Sequence, residues 1–114
     1  MGRVIRALAL MAAVAATPAM AHQLNVFAFV EDGSVVVEAK FSTGRIPVSG
    51  EVRVLDAAGK EIETYDLGKD GTLTFALDPA HADTGLTIEV EASGGHEDYW
   101  ILTPDDIARG QDGS

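Results

Sequence analysis

The chain contains no cysteine. This absence excludes disulfide bonds, thiolate nucleophiles, zinc sites built on cysteine and lipid attachment through cysteine. Small secreted domains usually depend on disulfides, so a secreted domain of this composition has to be held together by its apolar core.

Basic residues are also scarce: the chain has 8 Lys and Arg but 18 Asp and Glu, which gives a net charge of −10. Binding to nucleic acid needs clustered cations, so nucleic acid is excluded as an expected partner, and an anionic membrane surface is disfavoured. The chain has neither a Gly-x-Ser-x-Gly nucleophile elbow nor the ligand spacing of an EF-hand. We therefore expect a protein that is not an enzyme and whose compatible partners are metal cations and basic protein surfaces.

No hydrophobic run is long enough to cross a bilayer, which needs about 20 residues. Residues 4–14 are almost entirely apolar apart from Arg6, which forms a short positive region with Arg3. They precede a proline and the small-residue pattern Ala19-x-Ala21. This arrangement is typical of a cleaved secretory signal, the alternative being a membrane anchor. We expect residues 1–21 to be a signal peptide and the mature protein to begin at His22 in a bacterial periplasm. The remaining 93 residues, with a net charge of −12, are enough for one domain.

Beyond residue 22 the sequence alternates apolar and polar residues, with turn residues about every 8–12 positions. This predicts a single small antiparallel β-sandwich of about seven strands, Ig-like or transthyretin-like, over residues 22–107, and a flexible tail over 108–114. The predicted strands are 24–30, 34–41, 51–55, 61–65, 72–77, 86–92 and 99–102, with one helical turn near 79–83. The side chains expected to point inward are Val26, Val37, Val54, Phe75, Ile88, Val90 and Trp100.

Two of the three histidines are candidate metal ligands. Once the signal is removed, His22 offers its α-amine and its ring Nδ1 together to a divalent metal. His96 follows two glycines and precedes Glu97 and Asp98, which offer carboxylate support. Nitrogen donors of this kind suit nickel, copper, zinc and cobalt. The alternatives remain open that His22 only follows the cleavage site and that His96 is a turn histidine beside a core tryptophan, whereas His81 is expected on the surface.

Three blocks of sequence resemble a known family. They are AHQLNVFAFVE at 21–31, VEAKFSTGR at 37–45, and VRVLDAAGK at 52–60 together with DGTLTF at 70–75. The chain resembles the periplasmic accessory components of energy-coupling-factor nickel and cobalt uptake transporters, which look like carboxypeptidase-regulatory or transthyretin-type β-sandwiches. Gly95-His96 matches the Gly-His of that family near the last strand.

The resemblance implies a non-enzymatic periplasmic module for nickel or cobalt uptake. Its partners would be the membrane permease components, without direct membrane insertion of the mature chain, and Ni²⁺ or Co²⁺ would be transported or transiently bound. The expected metal ligands are His22, His96, Glu97 and Asp98. One alternative is a secreted structural or adhesion module that acts by protein contact only. A transthyretin-like enzyme or small-ligand carrier ranks last, because the sequence offers no convergent basic or nucleophilic set.

Overall fold

The protein is a β-sandwich of two antiparallel sheets, as predicted. The computed structural model describes residues 23–111, so the predicted signal peptide, His22 and residues 112–114 lie outside the described residues. The strands are β1 (Leu24–Glu31), β2 (Ser34–Phe41), β3 (Gly50–Leu55), β4 (Glu61–Asp66), β5 (Thr72–Ala76), β6 (Leu86–Ala92) and β7 (His96–Leu102). One sheet has the order β1-β2-β5 and the other has the order β4-β3-β6-β7.

The hairpin between β1 and β2 turns at the Asp-Gly pair that marks it in the sequence. Asp32 and Gly33 have φ angles of 50° and 81°, the left-handed conformations that a two-residue type I′ turn requires. The turn sets the register, because Glu31 pairs with Ser34 and the pairing continues unbroken to Leu24 and Phe41. Every second side chain of both strands therefore points into the sandwich.

The core lies between the two sheets and consists of aliphatic side chains. Five of the seven residues predicted to point inward are at most 5% exposed, namely Val26, Val37, Val54, Ile88 and Val90. Phe75 and Trp100 are half-buried and pack against the margin of this cluster. With no disulfide available, burial of this apolar surface is the main favourable term for folding.

A carboxy-terminal helix, α1 (Pro104–Gln111), was not predicted. The expected boundary at residue 107 falls inside it, since Ile107 is fully buried and residues 108–111 continue the helix. Thr103 and Asp106 exchange hydrogen bonds between side chain and main chain in a capping box, with Pro104 in the first turn. Within residues 23–111, no helix is long and apolar enough to cross a membrane.

Candidate functional site

The start of β1 and the start of β7 lie at the same end of the sandwich. The main-chain N–H of Gln23 donates to Ser42 Oγ at 3.2 Å, and the N–H of Ser42 donates to the Gln23 carbonyl at 2.7 Å. Next to Ser42, the ring of Phe41 meets the His96 imidazole edge-on, with 5.1 Å between the ring centroids. The predicted pairing of His22 with His96 requires this common end. His22 itself lies outside the described residues.

The His96 ring is oriented by the turn that precedes it. Nδ1 of His96 is 3.1 Å from the carbonyl oxygen of Ser93, and because a carbonyl can only accept, Nδ1 carries the hydrogen. Gly94 and Gly95 have φ angles of 84° and 80°, which non-glycine residues rarely adopt. With its hydrogen on Nδ1, a neutral imidazole has its lone pair on Nε2, the nitrogen that could then bind a metal. Metal-ligating histidines commonly have their other ring nitrogen bound to a carbonyl in this way.

The two acidic residues after His96 lie on opposite sides of β7. Asp98 is half-buried and its Oδ2 accepts a hydrogen bond of 2.8 Å from the main-chain N–H of Val26. Glu97 is exposed on the outer face, so it is not brought together with His96. Among residues 23–111, no three His, Asp or Glu side chains are grouped in a way that could hold a metal ion.

A cavity of about 220 Å³ lies beside His96 at this end of the sandwich. Its apolar lining consists of Phe41, Ile46, Pro47 and Val48, and its polar lining of Thr43, Arg45, Ser93 and His96. None of these side chains is acidic, although the chain as a whole carries a net charge of −10. The cavity was not predicted, because the loop over residues 42–49 and the turn before β7 are joined only by the fold. The one available signal was the absence of acidic residues between Glu38 and Glu51.

The outer face of the four-stranded sheet has the opposite electrostatic character. Arg53 lies among three glutamates, with its guanidinium nitrogens 2.8 Å from Glu51, 3.3 Å from Glu89 and 3.2 Å from Glu91. The hydrogen bonds that Arg53 donates to Glu91, Glu51 and Glu89 raise its pKa well above the ordinary value. All three glutamates remain substantially exposed, so this face carries a solvated ion-pair network that contributes only modestly to the stability of the fold.

His81 lies at the other end of the molecule, in a short 3-10 helix (Pro79–His81) between β5 and β6. This helix follows the end of β5, which pairs with the start of β2 near the Asp32-Gly33 hairpin. His81 is therefore separated from His96 by the length of the sandwich and is the natural control for either histidine of the predicted site.

Comparison of the chain with models of protein families, with curated proteins and with solved structures gave no match.

Proposed function

We propose that this domain is a non-enzymatic periplasmic accessory module for nickel or cobalt uptake, which contacts the transporter permease and holds the metal transiently. The observation that supports the proposal best is the common end of β1 and β7. Gln23 is bonded to Ser42, whose neighbour Phe41 contacts the His96 ring. A mature chain that begins at His22 starts one residue before Gln23, at the end that carries His96.

Three nitrogen donors are available to a metal at this end. They are the α-amine and ring of His22 and Nε2 of His96, which the Ser93 carbonyl leaves free. Three protein ligands leave coordination positions open, and an open site suits a protein that passes its metal on. Asp98 lies on the His96 side of β7 and Glu97 on the other, so Asp98 is the better placed of the two predicted carboxylates.

Calorimetric titration of the processed protein with Ni²⁺ and Co²⁺ tests the proposal. His22→Ala and His96→Ala should each weaken binding by about tenfold or more, because loss of one donor is worth at least about 1.4 kcal/mol. His81→Ala should bind like the wild type, and circular dichroism should show the same β content in all three variants. Amino-terminal sequencing must give His22 as the first residue. A correctly processed protein that binds neither metal at millimolar concentration contradicts the proposal.

The alternative of a module that acts by protein contact alone also has an observation in its favour. Tyr99 and Ile101 project from the outer face of β7, and 57% and 54% of their surfaces are exposed. Exposed aromatic and aliphatic side chains together are common at protein interfaces. Loss of permease association in Tyr99→Ser or Ile101→Ser, combined with the absence of metal binding in the wild type, would favour this alternative.

A further inference from the structure

We infer that the cavity beside His96 binds a small apolar carboxylate, with the guanidinium of Arg45 as the partner of the carboxylate group. The inference goes beyond metal uptake and requires no bound metal. It assigns a ligand class to the cavity between the loop over residues 42–49 and the turn before β7.

The charge of Arg45 is the first reason. Of the three arginines within residues 23–111, Arg53 is bound by three glutamates and Arg109 by Asp106. Arg45 has no carboxylate within 4 Å in that part of the chain. A cation left unpaired in so acidic a domain, and placed in a cavity lined by no acidic side chain, favours an anion from outside. A planar guanidinium suits a carboxylate, because it can donate two parallel hydrogen bonds.

The apolar lining is the second reason. Ile46 and Val48 are 43% and 78% exposed beside the cavity, while Pro47 between them is buried. The Phe41 ring, held edge-on against His96, closes another side. Binding sites for small molecules combine mostly apolar walls with a few polar groups that fix the orientation. At about 220 Å³ the cavity lies below the usual range for drug-sized ligands, so the ligand is a short branched or cyclic acid.

The loop that carries Arg45 is fixed by its own hydrogen bonds. The Arg45 carbonyl accepts from the Phe41 N–H at 2.9 Å, and the Phe41 carbonyl accepts from the Gly44 N–H at 2.8 Å. Gly44 has a φ of 93°, which supplies the reversal of the chain. The main chain around Arg45 is therefore held before a ligand arrives, which lowers the entropic cost of binding.

The test is a titration of metal-free, ¹⁵N-labelled protein followed by NMR, with isovalerate as the probe and isovaleramide as its neutral counterpart. We expect isovalerate to shift the amide signals of Arg45, Val48 and His96, and isovaleramide to leave them in place. Arg45→Gln should weaken isovalerate binding by about tenfold or more, since hydrogen bonds to charged groups are among the stronger ones. Lys60→Gln removes a charge at the opposite end of the sandwich and should bind like the wild type.

A second variant separates the apolar lining from the charge. Val48→Ser, at an exposed position that tolerates a polar residue, should weaken binding of isovalerate more than binding of acetate. The inference is overturned if isovaleramide shifts the same signals equally, if Arg45→Gln binds isovalerate as the wild type does, or if isovalerate shifts none of them at tens of millimolar. Because the titration contains no metal, none of these results bears on the uptake of nickel or cobalt.

Discussion

The carboxylate of Asp98 in β7 accepts a hydrogen bond of 2.8 Å from the main-chain N–H of Val26 in β1. Each of these strands is the edge of a different sheet. The bond therefore satisfies an edge N–H of the three-stranded sheet with a side chain of the four-stranded sheet. Such a contact blocks pairing of this edge with another chain and ties the two sheets together. The same carboxylate lies on the His96 side of β7, so its structural role has to be separated from its proposed role as a metal ligand.

Asp98→Ala should lower the free energy of unfolding by about 1–3 kcal/mol, because it leaves the part-buried N–H of Val26 without its acceptor. Asp98→Asn keeps an acceptor oxygen and should lose less. Urea unfolding followed by the fluorescence of the single tryptophan, Trp100, measures both. Glu97→Ala, on the exposed side of the same strand, is the control and should stay within about 0.5 kcal/mol of the wild type. An Asp98→Ala protein as stable as the control would show that the bond contributes nothing.

Gly94→Ala should displace the His96 ring, whereas Gly95→Ala should not. Both glycines have positive φ angles, so each substitution strains the turn by roughly 1 kcal/mol. At Gly94 the added methyl would lie 3.2 Å from His96 Nδ1 and 3.3 Å from Cε1, whereas a Cβ at Gly95 would meet no atom within 4 Å apart from those of its two chain neighbours.

Long-range ¹H–¹⁵N spectra of the imidazole report the tautomer of His96 directly. We expect Gly95→Ala to keep the wild-type pattern with hydrogen on Nδ1, and Gly94→Ala to lose it. Identical spectra for the two variants would show that the contact with Gly94 does not position the ring.

Gly110→Ala should destabilise the protein, although alanine normally stabilises a helix by about 1 kcal/mol relative to glycine. A Cβ at Gly110 would overlap the carbonyl oxygen and Cβ of Val30, where α1 packs on β1. Overpacking of this kind costs about 1–3 kcal/mol, so the steric effect decides the sign. Trp100 borders the same groove as Gly110, and its emission should change when the helix moves away. Ala108→Ser, at an exposed position of α1, is the control, and a gain in stability in Gly110→Ala would contradict the packing argument.

The sequence predicts the strands well where one face is apolar throughout. β2 and β6 have the predicted bounds, because turn residues lie on both sides of each strand, and in β6 apolar and polar residues alternate strictly. β7 begins at His96 and not at residue 99, since its first inward positions are the polar residues His96 and Asp98 at the margin of the core. α1 was missed because Ile107 is the one fully buried side chain among residues 104–110, and one such residue is too few to show a helical period.

The candidate site is predictable only in part. The glycines before His96 mark it as a residue in a constrained turn, and the turn does orient its ring. The position of Arg45 beside it depends on how β2 and β7 meet at one end of two different sheets, more than 40 residues apart in the chain. Alternation within single strands carries no information on that contact. The opposite orientations of Glu97 and Asp98 follow from the alternation of side chains in a strand, but the predicted last strand began only at residue 99 and included neither residue.

Asp70→Asn should make the unfolding free energy less sensitive to acid. Hydrogen bonds from the Thr72 hydroxyl at 2.8 Å and the Thr72 N–H at 3.1 Å lower the pKa of Asp70. Its folded pKa therefore lies below the ordinary value of about 3.9, and the folded state binds fewer protons than the unfolded state between the two values. The stabilisation from this carboxylate is complete above about pH 4 and is lost as the pH falls through the folded pKa.

Urea midpoints measured from neutral pH down to about pH 2 should fall less steeply in Asp70→Asn than in the wild type. Glu31→Gln, at an exposed position beside the first hairpin, removes a carboxylate that accepts no hydrogen bond within residues 23–111 and should follow the wild-type profile. Identical slopes for Asp70→Asn and the wild type would contradict the assignment.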